Sequence, residues 1–507
     1  IFQQGEIVYT HGYGMANLEL GVPIGPGSIF HVASISKQFA ALSIALLAAE
    51  GKLSLDDDVR TYVPEVPDFG GERITIRQLI HHTSGLRDQW DLLDLAGWRE
   101  DDLITDDDVL EITSRQRGLN FAPGDQYRYS NTGYTLLGII VRRLTGQSLR
   151  QFAQERIFAP LGMTHTHFHD DHSEIVFGRT QAYEPREDGS PRVSIPVFDT
   201  TGATSLFTTV EDFFHWDQNF DLGTVGGELL GERLTPARLN DGQVIGYGFG
   251  LSLRQRGNPR LVGHDGADAG YRSSYVRVPE QGLAVVIFCN LSTMVPGTLA
   301  DRVLSIFLGD EPGKTPPVEQ PAFTERQLAG WPGFYRSRQS GWLLEVTAHD
   351  DGLFLQLGRE LPLRPISQTP LRLTIEGWSN TTIEAEPSSG ENGPRALLVT
   401  QSGGMIERFD RVADEEYAVK PLNGYTGRYY SDELDTSYGF AVRDNDDGPV
   451  LYWQRKRFSD RPLRAVLNDT FIAGMTRFEF TRDGQGAVNG FSVNTMRSCG
   501  MRFERIE

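Results

Sequence analysis

Residues 31–53 read HVASISKQFAALSIALLAAEGKL. Ser34 stands three places before Lys37, and an almost unbroken apolar run follows from Phe39 to Ala49. Side chains three apart on a helix share a face. The Ser34 hydroxyl is therefore expected beside the Lys37 amine, at a helix start whose backbone N–H groups are unpaired. A lysine amine is ordinarily protonated, with a pKa near ~10.4. Burial at the end of an apolar helix disfavours that charged form, and a neutral amine next to a serine hydroxyl is a base next to a nucleophile. Taken alone, the same residues also fit a lysine that snorkels to solvent and a serine that caps the helix.

Two more stretches carry candidate chemistry. In FAPGDQYRYSNTGYTLLG (121–138), Tyr129, Ser130 and Asn131 fall in a loop just before a strongly patterned helix. A tyrosine can relay a proton, and an asparagine amide can hold a substrate amide or orient a lysine. The plainer reading is a packing aromatic and a cap. In LVGHDGADAGYRSSYVRV (261–278), His264, Asp265 and Gly266 lie on or beside a strand. A glycine there admits another backbone, such as a bound peptide, and a strand edge supplies N–H donors for an oxyanion. Alone, this is also a turn histidine.

Composition narrows the function classes. The chain has 507 residues, 39% hydrophobic and 23% charged, too long for one core, so two to four domains are expected. The net charge of −20 argues against nucleic acid or an anionic membrane as partner. No apolar run reaches membrane-spanning length. Two cysteines, Cys289 and Cys499, exclude a disulfide framework and leave the compartment open between cytoplasm and periplasm. The chain opens IFQQGEIVYTHGYGMANLEL, read as the second strand of a hairpin turning at Gln4-Gly5, its first strand mostly missing. A truncated amino end, from which a leader could have been lost, is the expectation.

Residues 1–310 mix helix and strand patterns. EIVYTHGYGM reads as a strand, TIRQLIHHTSGL as a helix ending at Gly85, and YTLLGIIVRRLTG as a helix closed by Gly146. SLRQFAQERIFAPLGM reads as a helix closed by Pro160, and TTVEDFFHWDQNF as one capped by Thr209. YGFGLSLRQRG, PRLVGHDGADAGYRSSYVRVPE and GLAVVIFCNL read as consecutive strands, followed by a helix over PGTLADRVLSIFLG. The fold class expected is α+β, one antiparallel sheet flanked by helices. A Pro-rich, charged linker is expected over 311–324. Helix patterns then nearly vanish. Gly333-x-Tyr335-x-Ser337 and Gly427-x-Tyr429-x-Ser431 head two similar strand-rich segments, read as related all-β barrel-like domains over 325–415 and 420–507.

Together the three motifs, in this order and at these separations, resemble the serine β-lactamase and penicillin-recognising family, whose signature is S-x-x-K, then Y-x-N, then K-T-G or H-x-G. LIHHTSGL and FAPLGM match its texture, and the resemblance covers nearly all of residues 1–310. His264 in the third motif and the two β domains are similar to the D-aminopeptidase branch; class C β-lactamases and family VIII esterases are nearby. The resemblance implies a β-lactamase/transpeptidase-like catalytic domain. Ser34 is the nucleophile that becomes acylated, and Lys37 and Tyr129 share proton transfer. Asn131, Gly266 and Ala267 bind substrate, Asn131 through its amide, His264 positions substrate or tyrosine, and the Ser34 and Ala267 N–H groups form the oxyanion hole. That branch can send a loop from its last β domain into the active-site mouth. The matching hairpin here, FIAGMTRFEF (471–480), is very short, which implies a more open pocket.

The stretch THTHFHDDH (164–172) places His165, His167, His169 and His172 in alternation, a zinc-like pattern. It follows what reads as a surface loop, and no metal or other cofactor is assigned. The Asp runs at 56–58 and 106–108 read as acids at helix starts. The expected activity is that of a serine hydrolase acting on a small peptide, amide or ester, first a D-stereospecific aminopeptidase or amidase. A family VIII-like esterase, a D-Ala carboxypeptidase or β-lactamase-type enzyme, and a non-catalytic binder of peptidoglycan fragments are the alternatives. A homodimer through the β domains is an open expectation.

Overall fold

The computed structural model describes residues 1–309, 323–350, 352–368, 371–375, 378–386, 393–400, 404–413, 421–446 and 448–507. Residues up to 322 of the expected linker lie outside them; Thr324 caps a short helix, Glu325–Gly330. The chain forms two compact units. The first comprises 1–89, 100–114 and 121–309; the second comprises 90–99, 115–120 and the described residues from 323 onward.

The first unit is built on a six-stranded antiparallel sheet. Its order is Ser252–Gln255, Arg260–Asp268, Tyr271–Val278, Leu283–Cys289, Phe2–Gln3, Glu6–Ile7. Gln4 and Gly5 turn the terminal hairpin, both at positive φ. The strand expected over EIVYTHGYGM is broken into Glu6–Ile7 and, from Met15, a separate strand Met15–Asn17, because residues 8–13 find no ladder partner and stay largely exposed. The strand expected over YGFGLSLRQRG starts at Ser252, and Tyr247 precedes it in a loop.

The central helix, Lys37–Ala49, is buried from Lys37 to Leu47. A helix without a polar face belongs inside a core. Phe39 packs on Phe158, Phe213 and Trp216, and the Trp216 indole N–H donates to Gln38 Oε1 at 2.9 Å. The helix Asn131–Thr145 ends at Gly146 in the left-handed conformation, and Thr209 caps Val210–Leu222. Two ends differ from expectation. The 76–80 helix stops at Ile80, since His82 takes a positive φ of 57°. The 149–161 helical stretch passes through Pro160 and stops at Gly162, whose φ is 74°; proline fits the first residues of its final turn.

In the second unit, eight strands from Gly333–Ser337 to Ile406–Arg411 close one barrel, and eight from Gly427–Ser431 to Met501–Arg505 close another. The repeated Gly-x-Tyr-x-Ser has one physical job. The Tyr335 hydroxyl donates to the carbonyl of Trp331 at 2.7 Å, and that of Tyr429 to Tyr425 at 3.0 Å. Both tyrosines are fully buried, so each hydroxyl needs a partner. The 471–480 hairpin turns at Gly474-Met475, against Gly358 of the first barrel. Segments 90–99 and 115–120 join this unit: Tyr438 Oη donates to Leu95 O at 2.6 Å and Arg455 pairs with Asp94 at 3.1 Å. Both cysteines are free. Among the described residues no helix is long and apolar enough to cross a membrane.

Candidate active site

Ser34 sits in a 3₁₀ turn, Ala33–Ser36, that feeds the central helix. Ala33 before it has a φ of 49°, a conformation that costs a non-glycine residue energy and persists only where the surroundings impose it. The surroundings are the neighbouring strands. Ser273 Oγ donates to Val32 O at 2.8 Å. A Cβ on Gly266 would stand 2.4 Å from Val32 O and 3.1 Å from Ala33 Cβ. Gly266 is thus the residue that lets the Arg260–Asp268 strand press against the backbone carrying Ser34. Ser252–Gln255 pairs with that strand only through Gly263, so its outer edge runs past the ladder from His264 to Ala267 and Asp268.

Lys37 is fully buried. Its Nζ lies 3.1 Å from Ser34 Oγ, 2.9 Å from Asn131 Oδ1 and 2.6 Å from the carbonyl oxygen of Ala203. It also stands 4.8 Å from the centre of the Tyr129 ring. Snorkelling is thereby excluded, and Ser34 is no side-chain cap: Ser36 is the N-cap residue. Asn131, the first residue of its helix, is held by Asp88, whose Oδ2 accepts both the Asn131 backbone N–H at 2.7 Å and its Nδ2 at 2.8 Å. The carbonyl end of Asn131 consequently faces Lys37.

Tyr129 packs at a tilt against His82, ring centres 4.2 Å apart, and lies 6.2 Å from the His264 ring. A directed hydrogen-bond series links these groups. The Ser130 N–H donates to His82 Nδ1 at 3.1 Å, which leaves the His82 hydrogen on Nε2, 3.1 Å from the Tyr247 oxygen. At the far end His264 Nδ1 lies 2.6 Å from the carbonyl oxygen of Asp265 and must donate to it. His264 Nε2 therefore accepts from the Tyr247 hydroxyl at 3.0 Å. Burial, and then the charge of Lys37, push the His264 imidazole down to about 3, so it is neutral across the physiological range.

The structure thus gathers Ser34, Lys37, Tyr129, Asn131, His264, Gly266 and Ala267 around one site. Sequence reading missed Asp88, His82, Tyr247 and the Ala203 carbonyl. His82 and Asp88 lie within and just after LIHHTSGL, but nothing in the string points either one at Asn131 or Tyr129. A buried lysine on a serine hydroxyl, beside a tyrosine and a strand edge, can activate that hydroxyl and hold an acyl group.

The chain is similar to known proteins over its whole length. The chain is 26% identical over 532 residues to a D-aminopeptidase of Brucella ovis, covering 100% of this chain and 95% of that protein. It is 26% identical over 531 residues to a D-aminopeptidase of Brucella anthropi, covering 100% and 94%. The solved octameric penicillin-binding protein homologue from Pyrococcus abyssi superposes with a TM-score of 0.59 at 25% identity, over 81% of this chain and 94% of that one. The Beta-lactamase family model matches residues 1–306, the part of the chain that holds the Ser34–Lys37 pair and the His264 strand, and the protein belongs to that family.

Proposed function

We propose that this protein is a serine hydrolase that releases N-terminal D-amino acids from small peptides and amides through an acyl-enzyme on Ser34. The observation that carries the reading is the 3.1 Å approach of the buried Lys37 amine to Ser34 Oγ. The full-length similarity to D-aminopeptidases of Brucella supports the substrate class.

Ser34 Oγ attacks the scissile carbonyl while its proton passes into the Lys37–Tyr129 pair. The N–H groups of Ser34 and Ala267 receive the oxyanion. The leaving amine departs with a proton returned through Tyr129, and water then releases the acid from Ser34 by the reverse relay. Asn131 orients Lys37 through its carbonyl and offers amide hydrogen to the substrate. His264, locked in one tautomer, positions substrate and Tyr129.

The test is paired. Wild type and Ser34→Ala are incubated with D-Ala-p-nitroanilide, L-Ala-p-nitroanilide and p-nitrophenyl acetate. Ser34-dependent turnover of the D-anilide alone is the expected result. Turnover of the ester with neither anilide would turn the reading to an esterase. Equal rates for Ser34→Ala and wild type on every substrate would overturn the mechanism.

A further inference from the structure

The histidine-rich stretch folds differently from the surface loop expected of it. His167–Phe168 is a strand, third in a small sheet ordered Phe30–His31, Leu206–Thr208, His167–Phe168. His167 and His169 emerge on the same face and both rings lie on Phe207, with centres 5.7 and 4.8 Å away. Glu174 comes back beside them, and ligand atoms of His167, His169 and Glu174 all lie within 4.8 Å of one another.

We propose that His167, His169 and Glu174 bind one divalent transition-metal ion of the Zn²⁺ class. One observation carries this independently of the clustering. His169 is 5% exposed, yet neither of its ring nitrogens has a hydrogen-bond partner, and neither does the buried Nε2 of His167. Buried polar atoms are ordinarily satisfied, and an imidazole lone pair without a donor is what a metal ion requires. The spacing also fits. His169 Nδ1 stands 3.4 Å from Glu174 Oε2, and a tetrahedral ion with bonds of about 2.0–2.1 Å needs ligand atoms about 3.3 Å apart.

Glu174 is pre-oriented by Arg150, whose two amino nitrogens donate to it at 2.6 and 2.7 Å. Each carboxylate oxygen keeps a second lone pair, and such an outer partner fixes the ligand's direction. Arg150 shares its charge with Asp170 at 3.1 Å. An open cleft of about 480 Å³ borders His165, His167 and Glu174 and gives access for the ion and a completing water. Two imidazoles and a single carboxylate favour Zn²⁺ over Mg²⁺ or Ca²⁺, which prefer all-oxygen shells. The neighbouring trio Asp171, His172 and Asp199 differs: it is largely exposed, and His172 Nδ1 is already 3.1 Å from Asp199 Oδ1.

The full chain, stripped with EDTA and returned to metal-free buffer, is titrated with Zn²⁺ by calorimetry. Co²⁺ is added separately to read its visible d–d bands. One ion per chain and the strong bands of four-coordinate Co²⁺ are expected. His167→Ala and His169→Ala should each lose at least about tenfold in affinity, whereas His172→Ala should bind as wild type does. If the histidine variants fail to fold, Glu174→Gln, which keeps the shape and one of the two Arg150 hydrogen bonds, should show the same loss. Absence of binding by wild type, or unchanged binding by the His167 and His169 variants, would overturn the proposal. The readout is metal occupancy and does not depend on any hydrolytic activity.

Discussion

The Tyr247 hydroxyl donates to His264 Nε2 at 3.0 Å while accepting from His82 Nε2 at 3.1 Å. One hydroxyl thus joins two imidazoles whose tautomers are set by the Ser130 N–H and the Asp265 carbonyl, one packed against Tyr129 and the other on the strand beside Ser34. Tyr247→Phe keeps the ring and removes that link. It is expected to lower kcat/KM by about three- to tenfold, the worth of one neutral hydrogen bond. It should also lower stability by about 1–3 kcal/mol, because the His264 ring nitrogen loses a donor and the His82 one an acceptor. Steady-state kinetics on the D-anilide and thermal melts check both; unchanged kinetics would remove Tyr247 from the positioning of His264.

Lys37→Arg retains a positive charge but removes an amine that can shed its proton, since guanidinium stays protonated. The expected loss in acylation rate is about 10²–10⁴-fold, as large as for Lys37→Ala. Burst kinetics with an activated ester measure it. An arginine variant retaining more than about a tenth of wild-type acylation would rule out proton transfer by Lys37.

Asp88 acts through Asn131. Asp88→Ala leaves the Asn131 backbone N–H and Nδ2 without their carboxylate and should cost about 2–4 kcal/mol. Asp88→Asn keeps one acceptor and should cost less. The comparison of melting temperatures separates the two, and kcat should fall with both, since the Asn131 carbonyl no longer has a fixed direction toward Lys37.

Acid sensitivity follows from several buried imidazoles, His31 and His81 as well as His264. Burial holds His31 down to about 3 and His81 down to about 4. Both are neutral in the folded chain where the unfolded chain protonates them, below pH ~6.5. The unfolded state therefore binds more protons, and stability falls as pH drops from ~6.5 toward 4, by about 1.4 kcal/mol per pH unit for each group. Asp106 and Asp268, raised by burial to about 6, act in the opposite sense over part of that range, since the folded carboxyls take up protons first. His81→Gln should flatten the acid-side fall in guanidinium midpoints between about pH 7 and about pH 4.5. An equally steep fall in the variant would contradict a neutral buried His81.

The paired tyrosines of the barrels predict paired costs. Tyr429→Phe removes the hydroxyl bonded to Tyr425 O and should destabilise its barrel by about 1 kcal/mol. Tyr335→Phe should cost more, because Tyr335 Oη also accepts from Arg411 Nη1 at 3.1 Å. Differential denaturation of the two variants tests the order.

Much of the fold was legible in the string. The apolar helix after Lys37, the helix closed by Gly146, the Thr209 cap, the consecutive strands from 260 to 289 and the two barrels rest on period, caps and turn residues, which are local properties. The same locality misled at residues 8–13, where strand-like residues find no partner strand, and at Pro160, where proline sits inside a last turn instead of ending it.

Sequence by itself determined that Ser34 and Lys37 share a helical face, that a tyrosine and an asparagine precede a buried helix, and that a histidine and a glycine lie on one strand. Only the tertiary structure decided that Lys37 turns inward onto Asn131 and Ala203, that Asp88 sets the direction of Asn131, and that Tyr247 joins His82 to His264. It likewise brought Glu174 to His167 and His169. Spacing along one helix or strand is fixed by backbone geometry. Hydrogen bonds between residues 94 or 166 positions apart depend on how those elements pack, which no local pattern encodes.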